Sequence, residues 1–302
     1  MIKLFSHADL DGCGCGILAM LAFGENVDIS YCGHNNINAA ILNHFNANTK
    51  DEVHITDICV NSGVAKTING SCRKYQVLDH HATSLPMAEQ YKWCRVQVEN
   101  EDGLMTSGTE MYYKWLVENG KLQRTETLDR FVEVVRNYDT WRWAEMGDAG
   151  LICKDVNDLL YLYGRDKFID WALKEIEDNE FPYLYEEDIA VLEVNERAID
   201  EYVDEKERQM VVSTICNVPC AIVFADKYFN DIGHAICERH PEIDFVAMVD
   251  MGRCSVSYRA EKDGVDLGAI AKNFGGGGHQ KAAGSEFTKE LREKIIATVF
   301  GN

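Results

Sequence analysis

Short apolar runs alternate with stretches of helical period through the first half of the chain. Ile2–Ser6, Val27–Tyr31, Val53–Asp57 and Lys74–Asp79 read as β-strands, each bounded by Gly, Asn or Asp nearby. Between them, Gly16–Phe23, Asn38–Phe45 and Gly63–Ile68 read as helices. That rhythm predicts an α/β fold: a mostly parallel sheet with helices on both faces. Longer helices are expected at Ser107–Glu118, Glu126–Asn137 and Lys167–Asp178. Glu186–Met210 is dense in Glu, Asp and Arg, with apolar Ile189, Leu192, Ile199, Tyr202 and Val203, the pattern of a long solvated amphipathic helix. A smaller α/β unit follows. Its strands are expected at Val211–Ile215, Ala221–Phe224, Phe245–Val249 and Cys254–Arg259, with helices near Asp231–Glu238 and Leu267–Asn273. The expected organisation is a first domain over 1–185, a linker helix over 186–210 and a second domain over 211–302.

Composition narrows the partners. A chain of 302 residues with 46% apolar content suits two globular domains at roughly 150 residues each. The net charge is −20, which leaves no broad basic surface for long duplex nucleic acid. The charge is uneven: residues 251–302 carry eight Lys/Arg against six Asp/Glu, so the rest carries −22. A small anion fits that tail, and a short oligonucleotide fits better than a duplex. No apolar run approaches the roughly 20 residues of a membrane span, and the N-terminal segment turns polar too early for a signal peptide. A cytoplasmic location without membrane contact is expected, and a homodimer is compatible with the chain. The eleven cysteines are odd in number, scattered, and lack paired zinc-type spacing, so reduced and mostly buried thiols are expected.

The chemistry gathers at strand ends. The first strand runs into His7-Ala8-Asp9-Leu10-Asp11; in an extended chain His7, Asp9 and Asp11 share one face. The glycine-rich Gly12-Cys13-Gly14-Cys15-Gly16 that follows reads as a tight backbone turn close to a ligand. Two further strands end in Asp57 and in Asp79-His80-His81. Ligands bind at the carboxyl ends of strands in open α/β sheets. Clustered carboxylates repel unless protonated or neutralised by cations, and an oxygen/imidazole set without thiolates suits Mn²⁺ better than zinc.

These motifs resemble those of the Asp-His-His (DHH) phosphoesterases. His7-Ala8-Asp9-Leu10-Asp11, Asp57 and Asp79-His80-His81 match the first three, and Asp139 in Arg136-Asn137-Tyr138-Asp139-Thr140-Trp141 is the natural fourth. Gly275-Gly276-Gly277-Gly278-His279-Gln280-Lys281-Ala282-Ala283-Gly284 is similar to the signature of the DHH-associated C-terminal domain. The resemblance implies two Mn²⁺ ions, with Mg²⁺ or Co²⁺ as substitutes. One ion would take His7, Asp9 and Asp57, and the other Asp11, His80 and Asp139, with Asp57 bridging. It implies catalytic roles for Asp57, Asp79 and His81, with His81 facing substrate phosphate and Asp79 supporting the site. Direct hydrolysis by metal-activated water follows, with no covalent enzyme intermediate.

In the second domain the four glycines read as a loop whose N–H groups all point at an anion. The resemblance assigns substrate contacts to Arg259, Gly276, Gly277, Gly278 and His279. Trp141 and Trp143 depart from the fourth motif of many small-substrate members, and read either as base-stacking residues or as core filler. The aromatic residues of 151–185 read as packing. The expected activity is Mn²⁺-dependent hydrolysis of very short RNA, as in nano-RNase members, or of nucleoside 3′,5′-bisphosphates. A cyclic-dinucleotide or cyclic-nucleotide phosphodiesterase is the alternative, and a catalytically inactive nucleotide sensor is the alternative of a different class.

Overall fold

The computed structural model describes residues 1–47, 50–71 and 73–301, which divide into two compact units, Met1–Leu192 and Glu193–Asn302. The first is built on strands β1 (Ile2–Ser6), β2 (Val27–Tyr31), β3 (Glu52–Thr56), β4 (Tyr75–Asp79) and β5 (Cys94–Val96). They are all parallel, in the order β2-β1-β3-β4-β5. Its helices are α1 (Leu10–Phe23), α2 (Ile37–Asn46), α3 (Ser62–Asn69), α4 (Leu85–Gln90), α5 (Gly108–Glu118), α6 (Glu126–Asp139), α7 (Asp148–Tyr163) and α8 (Arg165–Glu177).

Alternation along the strands feeds two cores. Leu4 and Leu78 pack with Ile17, Leu18, Tyr112, Leu116, Phe131 and Phe168 of α1, α5, α6 and α8. Phe5, Val53, Ile55 and Val77 pack with Ile37, Ile41, Val64 and Ile68 of α2 and α3. Helices therefore cover both faces, as the apolar pattern of a fully buried parallel sheet requires. The strand order reverses direction between β1 and β3. That is a switch point, where the loops after neighbouring strands part and leave a crevice at the carboxyl ends.

Two local expectations are corrected. Residues 12–16 form no turn: α1 starts at Leu10, six residues earlier than expected, and its glycines lie inside the helix. Space explains them. A Cβ on Gly12 would collide with the backbone carbonyl of His7, and one on Gly16 with the Tyr31 hydroxyl. Nor does His7–Asp11 stay extended, since β1 ends at Ser6. Asp9 caps α1 with its side chain on the Gly12 N–H, and Asp11 falls in the helix's first turn. Such a cap typically contributes about 1 kcal/mol. Segment 151–185 is mostly the α7–α8 helical hairpin, whose Val156, Leu159, Phe168 and Ala172 are buried in the α1 core.

Helix α9 (Glu186–Gln209) carries the chain into the second unit, where its Ile199 and Val203 are buried beside Ile232, Ile236, Val246 and Met248. The sheet there comprises β6 (Val211–Ile215), β7 (Val218–Phe224), β8 (Phe245–Asp250), β9 (Ser255–Arg259), β10 (Gly277–Gly278) and β11 (Ala282–Glu286), with α10 (Phe229–Arg239), α11 (Leu267–Lys272) and α12 (Lys289–Phe300). The order is β10-β11-β9-β8-β7-β6, with only β7 and β8 parallel. The two-residue turn Cys216-Asn217 between β6 and β7 has φ of 51° and 64°, the backbone that a tight hairpin demands. Cysteines at the ten described positions are all unpaired, and eight of them are buried. No described helix is long and apolar enough to cross a membrane.

Candidate functional site

The carboxyl ends of β1, β3 and β4, with the last residue of α6, bring seven of the sequence-selected side chains together. Asp57 follows β3 with φ 58°, a left-handed backbone that non-glycine residues seldom adopt. That turn swings its carboxylate, 2% exposed, toward the residues after β1. Asp139 ends α6, and Asp79 ends β4. Ligand atoms of His7, Asp9 and Asp57 lie within 4.8 Å of one another; so do those of Asp11, His80 and Asp139, and those of Asp57, His80 and His81.

Individual contacts fix the arrangement. His7 Nδ1 lies 2.6 Å from Asp9 Oδ2, and His80 Nε2 lies 3.2 Å from Asp57 Oδ1, 3.5 Å from Asp139 Oδ2 and 3.7 Å from Asp11 Oδ2. Asp11 accepts the Gly108 N–H at 2.6 Å and the Thr109 N–H at 2.8 Å. These are orphan donors of the first turn of α5, where the helix dipole also favours an anion. A side chain at 108 would put its Cβ 2.5 Å from Asp57 Cβ, so only glycine lets this helix start reach the cluster. Asp79 stands one step behind. Its Oδ1 accepts from the His80 N–H at 2.9 Å and from His81 Nδ1 at 2.7 Å, which orients the His81 ring, with no hydrogen bond to its other ring nitrogen among the described residues.

The electrostatics are strained. Burial, followed by repulsion from Asp11 and Asp9, holds Asp57 and Asp139 well above the usual carboxylate range. Burial lowers the His80 imidazole, whereas the hydrogen bonds to Asp9 and Asp79 raise His7 and His81. Asp57 Oδ2 is buried without a hydrogen-bond partner. A lone buried carboxylate oxygen among imidazoles and other carboxylates fits a divalent cation, whose charge resolves the repulsion. No thiolate enters any of the three groups.

Sequence reasoning missed three contributors. Gly108 and Thr109 act through backbone N–H groups, which residue type does not reveal. His34 sits in the loop after β2, its ring centroid 5.4 Å from that of His7 and 6.3 Å from that of His81. Its position after a strand end, in Cys32-Gly33-His34, was the available signal. Of the two tryptophans beside Asp139, Trp143 stacks on Tyr138 against the core, whereas Trp141 is 41% exposed.

In the second unit, Arg259 on β9 and the glycine run converge on β11. Arg259 pairs with Ala282, Gly278 pairs with Ala283, and the His279 N–H donates to the Ala282 carbonyl. Arg259 Nε donates to Asn230 Oδ1 at 2.7 Å, a support from α10 that the sequence did not disclose. Burial lowers the Arg259 guanidinium below its ordinary value. The expected loop with every N–H turned toward an anion is corrected. The Gly275 and Gly276 N–H groups donate to Lys272 and Ala271 at the end of α11, and Gly277-Gly278 form a strand. The competing use of these donors is the C-terminal cap of a helix.

A DHHA1 domain is matched over residues 189–301. Oligoribonuclease NrnB of Bacillus subtilis (strain 168) is 36% identical, covering 99% of this chain and 76% of that protein. A 3′,5′-cyclic-nucleotide phosphodiesterase of Helicobacter pylori is 21% identical, covering 98% of each. Among solved structures, RecJ of Thermus thermophilus in complex with Mn²⁺ shares the fold with a TM-score of 0.62. It is 13% identical, and the match covers 99% of this chain and 51% of that one. Identity to NrnB along nearly the whole sequence, together with the DHHA1 match, places the chain in the DHH phosphoesterase family, as a hydrolase of phosphodiester bonds.

Proposed function

We propose that the protein is a Mn²⁺-dependent phosphodiesterase that hydrolyses very short oligoribonucleotides, with nucleoside 3′,5′-bisphosphates as further substrates. The observation that carries this reading is the convergence of His7, Asp9, Asp57, Asp11, His80 and Asp139 into mutually close ligand groups around a carboxylate oxygen with no partner. His7, Asp9 and Asp57 would hold one ion, and Asp11, His80 and Asp139 the second, with Asp57 shared. Bound divalent ions supply a water of lowered pKa and offset charge on phosphoryl oxygens. The chain's own residues do the rest. Asp79 holds the His81 ring through Nδ1, so that the other ring nitrogen is presented to a substrate phosphate. Asp11 is held in place by two backbone donors. In the second unit, Arg259, Gly276, Gly277, Gly278 and His279 are assigned to a nucleotide phosphate.

A short substrate is supported by the net charge of −20 and by the oligoribonuclease activity of the 36% identical relative. Unpaired thiols at the ten described cysteines fit a reducing cytoplasm. The test is hydrolysis across a length series of 5′-labelled oligoribonucleotides with Mn²⁺, with Asp57→Ala as control. Activity should be greatest on the shortest members and absent in the variant. An Asp57→Ala protein that still hydrolyses them refutes the metal assignment. The 21% identical relative favours a second reading, a cyclic-nucleotide phosphodiesterase. Faster turnover of a cyclic than of a linear dinucleotide under the same conditions selects it.

A further inference from the structure

Four described strands form the outer edges of the two sheets, and three of them are shielded against pairing with another chain. β2 carries Asp28, ion-paired to Lys3 at 2.6 Å. β5 is three residues long and includes Arg95, and β10 is two glycines. Charge and brevity are the usual protections of an exposed edge. β6 has neither. Its Val211-Val212-Ser213-Thr214-Ile215 is uncharged, every residue but Ser213 is β-branched, and among the described strands it pairs with β7 alone. Val211 and Val212 are 58% and 59% exposed, and Thr214 is exposed as well. The chain carries 30 Lys/Arg and 50 Asp/Glu, yet residues 209–225 include none of them.

β7 sets the direction of the β6 backbone groups. Pro219 has no N–H, and its carbonyl accepts the Asp244 N–H at 3.0 Å, on the β8 side. Thr214, opposite Pro219, therefore stands in a non-hydrogen-bonded pair, and its own N–H and C=O turn away from β7. Val212, two residues along and opposite Ala221, does the same. No hydrogen bond to these outward groups is found among the described residues. A row of unpaired donors and acceptors on a neutral strand is a template for another strand. This row is self-complementary. An antiparallel copy centred on Ser213 sets Val212 opposite the partner's Thr214, and Thr214 opposite the partner's Val212, each pair exchanging both main-chain hydrogen bonds. Val211 then faces the partner's Ile215. No charge meets its like along the pairing, although each chain has a net charge of −20.

We propose that two copies of the chain join edge to edge through β6, antiparallel about a two-fold axis at Ser213, so that the two second-unit sheets become one. β10 ends each sheet at its other edge with two glycines, so association closes at the dimer. A contact of this length lies at the small end of protein interfaces, and the dimer should dissociate on dilution. The experiment is sedimentation velocity on the full chain from about 1 to 100 μM, a range suited to a small interface. The wild-type chain should pass from monomer to dimer with no larger species. Val212→Pro removes an outward N–H and no bond to β7, and Thr214→Lys sets charge on the pairing row. Each should stay monomeric throughout, with wild-type circular dichroism. Thr214→Lys and cross-linking carry the test if Val212→Pro fails to fold. Diamide oxidation reads the register, in a Cys216→Ser background that removes the exposed thiol next to β6. A mixture of Val212→Cys and Thr214→Cys chains should cross-link, because hydrogen-bonded pairs hold their Cα atoms about 5.5 Å apart. Either chain alone should not, since its two thiol positions then stand about 8 Å apart at Cα. A wild-type chain that stays monomeric at the highest concentration overturns the proposal and leaves the edge to an extended segment of another protein. A dimer that both Val212→Pro and Thr214→Lys leave intact overturns it too, as does cross-linking of either chain alone to the level of the mixture.

Discussion

Residues 12–16 and 275–278 are both glycine-rich and both adjoin functional candidates, yet they use glycine for different physical ends. In α1 the glycines keep helical backbone and are selected for what they lack. Gly12 lets the first turn lie on the His7 carbonyl, which holds Asp9 and Asp11 at the mouth of the sheet. In the second unit Gly275 has φ 75° and Gly278 has φ 143°, so there the backbone itself leaves the range that side chains allow. Gly276 adds close approach, since a Cβ would strike the Gly284 carbonyl across the sheet. The first stretch therefore serves the position of charged ligands, and the second serves the shape of a chain reversal.

Substitutions can break that contrast, and the largest effect lies at the charge cluster that the α1 glycines position. Asp57→Asn should lower activity by at least about a thousandfold, the order seen when a group essential to catalysis is lost. The same change should raise the melting temperature of the metal-free protein, because a buried and repelled carboxylate is gone. Unchanged activity or a lower metal-free melting temperature would contradict the account.

Gly12→Ala comes next. Overpacking against backbone typically costs about 1–3 kcal/mol, and here it should also abolish the Mn²⁺-induced rise in melting temperature. Gly276→Ala should cost a similar amount of stability but leave the Mn²⁺ response intact and raise KM for a dinucleotide. If both variants behave alike, the distinction between the two stretches fails.

A smaller effect concerns pH. Asp57 and Asp139 have folded-state pKa values raised by burial and by Asp11 and Asp9. Raised carboxylates contribute stability below their unfolded pKa and lose it as pH rises through the folded pKa. The metal-free protein should therefore lose melting temperature as pH increases from the acid side. Mn²⁺ should flatten that slope, and its affinity should rise with pH because binding displaces protons. Titration calorimetry in buffers of different ionisation enthalpy measures the protons released.

The smallest effect is at Gly16. Gly16→Ala should destabilise by about 1 kcal/mol, the low end of overpacking, because the clash with the Tyr31 hydroxyl is at a side-chain tip. Tyr31→Phe removes that hydroxyl, which is buried without a partner, and should rescue Gly16→Ala in a double-mutant cycle. No such rescue is open to Gly12→Ala, whose obstacle is backbone.

The parts of the molecule legible in the sequence are those in which one residue's chemistry coincides with an element boundary. Asp57 and Asp79 each close an apolar run, so strand end and ligand position could be read together. Asp11 was placed on an extended chain because alternation at 7, 9 and 11 mimics a strand. The helix that really holds it is capped by Asp9, and glycine spacing hid its start. Thr109 and Gly108 were invisible because they act through the main chain. Strands β10 and β11 were missed for a related reason: Gly-Gly and Ala-Ala-Gly-Ser lack the branched side chains by which strands are recognised. Strand β5 was simply too short to stand out from its surroundings. His34 carried a readable position, but lacked a neighbouring acid to draw attention to it.

The all-parallel sheet of the first unit has a practical corollary. With every strand pointing the same way, groups that handle charge collect at one edge, and the opposite edge is left to connections such as the Tyr91–Trp93 stretch that leads into β5. A dye or surface tether attached at Lys92, on that far edge, should report binding and turnover without entering the reaction's surroundings. The molecule is thus suited to immobilised, single-molecule observation of the hydrolysis proposed for it.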